Sequence, residues 1–402
     1  MQWKFFSTGL VVAIMAAGAM GQKPASSAGK TPQLVDPAVA KMADGVERWN
    51  AGLGARESYL PVLFPSSHAA NLLELKNGDV LCVWFSGSWE GNSEVGIMVS
   101  RRPAGSRDWG PARLIDSEVG ASYQNPVLFE EPDGMLDLFH TTQPAGGGEN
   151  NAQVLHLVSK DHGQNWSKPE VLFAKPGAYS RHPLVILDDG AWLLPMTYVT
   201  SAGIGKGAET NYSVAEISRD QGKSWRECPM ADSQGKVQPT VVKLAGGGLR
   251  AFFRSRAADA IWTSTSADGC QWSPVEKTAL PNNNASVQAF GLPDGHIAMV
   301  FDNSSRATGG LRKPLSVALS EDGGKSWPYV RDIEAGRPGF GMAEMRSSQP
   351  GREEYSYPSI LETRQGEILV AFTYRRQTIK VVSFNEDWIR QRGSVGEYKG
   401  RQ

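Results

Sequence analysis

Six times along the chain an apolar run rich in β-branched and aromatic residues reaches a two-residue turn, and a second such run follows. The copies are Asn71 to Phe85 around Asn77-Gly78, Val127 to His140 around Asp133-Gly134, and Leu184 to Tyr198 around Asp189-Gly190. Thr240 to Arg254 around Gly247-Gly248, Phe290 to Asn303 around Asp294-Gly295, and Ser359 to Tyr374 around Gln365-Gly366 complete the set. Asn-Gly, Asp-Gly and Gly-Gly are strong hairpin turns when flanked by strand-forming sequence.

A second pattern alternates with the hairpins. Ser159, Asp161, Gly163 and Trp166 are spaced S-x-D-x-G-x-x-W. The spacing returns at Ser218, Asp220, Gly222 and Trp225 and at Ser320, Asp322, Gly324 and Trp327, and, one residue shorter, at Ser266, Asp268, Gly269 and Trp272. Each copy reads as a turn whose Asp caps backbone N–H groups, whose Gly takes a conformation closed to other residues, and whose Trp packs beneath neighbouring strands. Every hairpin precedes a strand pair ending in a tryptophan: Trp109, Trp166, Trp225, Trp272, Trp327 and, in degenerate form, Trp388. Six such units of about 50 residues predict an all-β fold, a six-bladed β-propeller of four-stranded antiparallel blades. A seventh blade borrowing residues 22–60 is the alternative, without a seventh hairpin or Trp turn to support it.

The ends of the chain read differently. Residues 1–21 carry Lys4, a short apolar run and a small-residue exit, the pattern of a secretory signal peptide rather than a span, so export to the periplasm or beyond is expected. Residues 22–55 read as a linker with one short helix between Val39 and Trp49, residues 56–392 as the propeller, and 393–402 as a tail. The net charge of −1 and pI near 6.6 argue against a nucleic-acid or membrane-surface partner. Three scattered cysteines, Cys82, Cys228 and Cys270, suggest neither a disulfide framework nor a zinc site, and no metal or cofactor is expected.

In a propeller the hairpin turns and Trp turns share one face, and the entries to the first strands and exits from the second strands share the other, near the axis. At the entries stand His68, Asn125, His182, Gln238, Ser286 with Gln288, and Tyr357. At the exits stand Ser86 with Glu90, His140, Tyr198, Arg254 with Arg256, Asp302, and Arg375 with Arg376. A purely structural axis would be mostly apolar; this set is rich in His, Tyr, Arg, Asn and Gln, as a binding pocket is.

The repeated S-x-D-x-G-x-x-W resembles the Asp box of the sialidase (neuraminidase) superfamily, over roughly residues 56–392. The strings from His68-Ala-Ala-Asn71 to Gly78, Gln238-Pro-Thr240, Phe253-Arg254-Ser-Arg256 and Tyr355-Ser-Tyr357-Pro are similar to its predicted bacterial branch. The resemblance implies three arginines gripping a substrate carboxylate, a Tyr nucleophile activated by a Glu, and an acidic acid/base. Arg254 resembles the second arginine, Arg312 (or Arg306) the third, and Tyr357 (or Tyr355) the nucleophile; Glu90 would be the acid/base where the family has Asp. His68 stands where the first arginine is expected and Gln238 where the Glu is expected. Histidine's charge depends on pH, and a Gln cannot take the tyrosine's proton, so Tyr357 needs another means of acidification, such as Arg254.

The candidate catalytic set is Tyr357, Glu90, His68 and His182, with Arg254, Arg256, Arg312, Gln238, Asn125, His140, Tyr355 and Arg375 holding substrate. The expected activity is removal of a terminal acidic sugar, sialic acid or a uronate-type residue, from a glycan by a monomeric exo-glycosidase. A uronate lyase, a rhamnosidase-like enzyme and a non-catalytic glycan-binding propeller remain the alternatives.

Overall fold

The computed structural model describes residues 36–201, 208–336 and 353–391. The expected signal peptide, the first part of the expected linker and the tail lie outside the described residues. Among the described residues no helix is long and apolar enough to cross a membrane.

Six antiparallel sheets follow one another around a closed ring, each contacting the next and the sixth contacting the first. Blade 1 is built from Ser66–Glu74, Val80–Gly87, Gly96–Arg102 and Arg113–Asp116 in sequence order. The innermost strands of the later blades are Ala121–Glu130, Lys236–Lys243, Gln288–Gly291 and Tyr355–Glu362 for blades 2, 4, 5 and 6. In blade 3 the inner strand is broken into Ala178–Ser180 and Val185–Ile186, both paired to Trp192–Tyr198.

The apolar core is divided among the six junctions between blades, one large cluster to each. Side chains alternate across a strand, so Val127 and Phe129 pack toward blade 3 while Leu128 packs toward blade 1. Both faces of these strands are covered, which is why the hairpins read as unbroken apolar runs rather than alternating ones.

The four Trp turns repeat one geometry. Ser159, Ser218, Ser266 and Ser320 accept through Oγ from the N–H of Gly163, Gly222, Gly269 and Gly324 at 2.9, 2.8, 2.9 and 2.8 Å. Each Asp carboxylate in turn caps backbone N–H groups, Asp161 with Asn165 and Asp322 with Ser326 both at 2.8 Å. The glycine is required at Gly324, where φ is +86° and a Cβ would lie 2.7 Å from the Phe252 ring of the neighbouring blade.

Closure of the ring involves the N-terminal segment. Ala55–Tyr59 pairs with Thr378–Phe384 as the fourth strand of blade 6, and Arg48–Asn50 adds a fifth. Trp388, read as ending an outer strand pair, lies instead in a short helix, Glu386–Arg390, packed on the junction of blades 5 and 6. The stretch before residue 56 holds the helix Pro37–Met42, capped by Asp36. Pairing first and last segments joins distant parts of the chain, and no local sequence signal announces it.

The cysteines also correct the sequence reading. Cys228, on the outer strand of blade 3, is bonded to Cys270, in the Trp turn of blade 4, and only Cys82 is free. The two are 42 residues apart and become neighbours only when consecutive blades pack. Replacing Cys270 with Ser is expected to lower stability by about 2–4 kcal/mol, the usual cost of opening a loop of this size. Denaturant unfolding of the variant, and of wild type with and without reductant, measures it.

Candidate active site

A proline sets the geometry of the axial face. Asn125, Gln238 and Tyr357 each precede a proline, and the inner-strand register slips there, between Gln124 and Val127, Val237 and Thr240, and Ser356 and Ser359. Proline has no N–H to give the ladder, so the X-Pro pair leaves it as a bulge. The residue before the proline takes φ of +49°, +52° and +54° in the three blades. A left-handed backbone is costly for a tyrosine and persists only where surrounding structure imposes it. In blade 1 the bulge falls on Ala69-Ala70, with φ +60° at Ala69, so His68 stands one residue earlier than the bulge residues of the other blades.

The bulges leave carbonyls without ladder partners, and a buried arginine collects them. Arg181, in the break of blade 3's inner strand, donates from Nη1 to the Ala70 carbonyl at 3.1 Å and from Nη2 to the Tyr357 and Pro358 carbonyls, both at 2.9 Å. It thereby ties blade 3 to blades 1 and 6. Burial lowers its guanidinium to about 10, still charged at neutral pH. Beyond this level lies a cavity of about 730 Å³ walled by Leu72, Leu128, Leu184, Val241, Ala289 and Ile360, toward the hairpin-turn face. Its apolar walls carry none of the candidate catalytic groups.

Tyr357 is the focus of the polar cluster. Arg254 donates from Nη1 to the Tyr357 hydroxyl at 2.6 Å and to Gln238 Oε1 at 3.1 Å, and from Nε to Asn284 Oδ1 at 2.8 Å. Arg254 is 2 % exposed, yet among the described residues every acceptor it has is neutral. The guanidiniums of Arg181, Arg254 and Arg312 stand 5.4, 5.6 and 5.3 Å from the Tyr357 ring centre. Burial raises the phenol's pKa, Arg254 and Arg312 lower it, and the balance leaves it below the ordinary tyrosine value. His68 lies with its ring 4.2 Å from that of Tyr357 and its Nδ1 2.7 Å from Thr373 Oγ1.

Around this centre the charged groups form pairs. Arg312 is bound to Glu354, whose Oε1 also lies 3.1 Å from Arg376 Nε. Arg376 Nη1 reaches Glu90 Oε2 at 2.7 Å. Arg256 Nη2 meets Glu149 Oε2 at 3.1 Å. His182 is buried, its Nε2 3.3 Å from Ser286 Oγ, and burial together with Arg181 holds its pKa well below the ordinary imidazole range, so it is neutral at pH 7. Asn125 is buried on its bulge, with φ +49°. Asp302 is fully buried, and burial pushes its carboxyl well above the usual range against the pull of Arg312.

Three expected site residues stand elsewhere. His140 packs against Tyr123 at the junction of blades 1 and 2, with Nε2 2.8 Å from Asp116. Tyr355 faces the core between blades 5 and 6 and donates to Glu353 at 2.7 Å, and burial raises its pKa. The bulge between Ser356 and Ser359 explains why Tyr355 and Tyr357, two apart, do not share a face. Arg375 is turned to Asp36 and Glu353, and its neighbour Arg376 is the one beside Glu354 and Glu90. Arg306 is exposed, so of the two candidates for the third arginine it is Arg312 that stands beside Tyr357.

The sequence reading missed Arg181, Asn284, Glu149 and Glu354 as site groups. Arg181 had a usable signal, since it adjoins His182-Pro183 in the one inner strand preceded by an arginine. Glu354 and Glu149 come from connecting segments whose position depends on packing.

The description "BNR repeat-like domain" is that of a family matching residues 78–370. A structure from Dyadobacter fermentans, described as of unknown function, superposes with a TM-score of 0.63 at 17 % identity, covering 79 % of this chain and 94 % of that one. An intramolecular trans-sialidase from Ruminococcus gnavus, in complex with oseltamivir carboxylate, gives 0.63 at 16 % identity over 81 % and 96 %. The NanB sialidase from Streptococcus pneumoniae gives 0.64 at 15 % identity over 80 % and 69 %. At these identities the likeness is one of fold. No curated protein sequence is significantly similar to the chain.

Proposed function

Since the chain belongs to the BNR repeat-like domain family, we propose that it is an exo-acting glycosidase of sialidase type, removing a terminal acidic sugar from a glycan. One observation carries this reading: a buried arginine, Arg254, holds the Tyr357 hydroxyl at 2.6 Å and has no carboxylate counter-ion among its hydrogen-bond partners. Burying a guanidinium without a counter-charge is expensive, and a carboxylate-bearing ligand or a tyrosinate supplies one.

The chemistry follows from the same contacts. Tyr357, acidified by Arg254 and Arg312 rather than by a carboxylate base, attacks the anomeric carbon and becomes glycosylated. The leaving oxygen takes its proton from an acidic side chain, the role the resemblance gives Glu90, whose side chain is 34 % exposed and which serves once freed from Arg376 and protonated. Water then releases the sugar and Tyr357. Gln238 accepts from Arg254 and so orients the guanidinium. His68 supports the Tyr357 ring, and neutral His182, Arg256 and Asn125 complete the polar surround.

A second reading rests on the same acidified phenol. A phenolate beside His68 is equally placed to remove a proton next to a uronate carboxylate and cleave by β-elimination. We place the protein outside the cytoplasm as a monomer: the Cys228–Cys270 bond supports an oxidising compartment and agrees with an N-terminal signal peptide over residues 1–21.

Turnover of sialosides, uronate-capped oligosaccharides and neutral rhamnosyl glycans by the purified protein tests the proposal. Release of a saturated acidic monosaccharide is expected, an unsaturated uronate product would establish the lyase reading, and preference for a neutral glycan would refute both.

A further inference from the structure

Arg376 and Glu90 make an unusual pair for a channel mouth. Arg376 is nearly covered, its side chain 4 % exposed, whereas Glu90, which covers it, is 34 % exposed. Glu90 sits on the segment joining Val80–Gly87 to Gly96–Arg102 in blade 1, and its neighbour Trp89 lies 5.6 Å from the same guanidinium. The arginine is held by its backbone as well as its side chain. Arg375 and Arg376 both take left-handed φ, +54° and +58°, which sends one outward to Asp36 and the other inward. The Arg376 carbonyl accepts from Ser67 N–H at 2.9 Å, and its Nε lies 3.1 Å from Glu354, which also holds Arg312. Two guanidiniums thus share one buried carboxylate, and among the described residues the other carboxylate on Arg376 comes from a half-exposed loop.

We infer that Glu90 is an internal stand-in for a ligand carboxylate: it occupies Arg376 in the free protein, and an acidic sugar displaces it to bind across Arg376, Arg312 and Arg254. This deepens, and rests on, the acidic-sugar reading above. The physical reason is competition. A carboxylate on Arg376 is a strong charge-assisted contact, so a ligand gains there only if it offers an equivalent group. An acidic sugar does; a neutral sugar would leave the charged pair broken and unreplaced, so the pair discriminates against neutral glycans by repelling rather than by attracting. The cost of displacement lowers apparent affinity for every acidic ligand, and removing the stand-in removes that cost. The release also detaches Glu90 from Arg376 when substrate arrives.

Calorimetric titration of the full chain with glucuronic acid, N-acetylneuraminic acid and glucose tests this, using wild type, Glu90→Gln, Arg376→Gln and Arg254→Ala. Glu90→Gln keeps the shape of the loop residue and loses its charge. It is expected to bind one or both acidic sugars about tenfold tighter than wild type, while wild type, with the pair in place, leaves glucose unbound. Arg376→Gln is expected to bind about tenfold more weakly, with its melting temperature recorded to separate binding from folding. If Arg254→Ala loses affinity while Glu90→Gln matches wild type, the stand-in is wrong and the acidic-sugar reading survives. If neither wild type nor Glu90→Gln binds either acid, both are wrong.

Discussion

Tyr357→Phe is expected to reduce kcat on an acidic glycan about a thousandfold, the scale of losing a group that acts directly in bond making or proton transfer, while KM changes little. The ring remains, and with it the contact to His68 and the packing between the blades; only the hydroxyl that Arg254 holds at 2.6 Å is removed. An interaction exercised in the transition state appears in kcat rather than in ground-state binding. Steady-state kinetics with the substrate found in the glycan screen, alongside unchanged thermal melting, would separate this from misfolding. Turnover by the phenylalanine variant within a few-fold of wild type would remove Tyr357 from the chemistry.

Arg254→Ala should lower kcat/KM on the same substrate about tenfold to a hundredfold, from loss of charge-assisted hydrogen bonds each worth roughly 1.5–3 kcal/mol. Lysine at this position should restore only part, because a point charge cannot reach Tyr357, Gln238 and Asn284 at once as the fork does. A second signature distinguishes this arginine from a passive binder. Its positive charge stabilises the tyrosinate, so removing it raises the Tyr357 pKa. Activity that depends on the ionised phenol is lost as pH falls through that pKa. The acidic limb of the pH–rate profile should therefore move to higher pH in the alanine variant. A profile that drops in height without moving would assign Arg254 to binding alone.

Glycine and proline explain which parts of this protein could be read early. The hairpin glycines and the four S-x-D-x-G-x-x-W turns are local devices, satisfied within a few residues, and so they announce six blades from sequence. The X-Pro pairs at Asn125, Gln238 and Tyr357 are equally local, and they mark the axial residues because proline cannot join the ladder. Tyr357, Gln238, His68 and Arg254 were legible through their places at strand entries and exits, whereas Arg312 was reached only through the family resemblance.

What the sequence by itself determined is the repeat, the blade count and which strand ends face the axis, since turn chemistry and strand periodicity act over short stretches of chain. Only the tertiary structure decided that Ala55–Tyr59 completes blade 6, that Cys228 meets Cys270, that Arg181 crosses to the carbonyls of blades 1 and 6, and that Arg376 rather than Arg375 turns inward. The first three join segments far apart in the chain and the fourth depends on how the end of a blade-6 strand turns, so all are fixed by the closure of the ring and the packing around it rather than by a local run of residues.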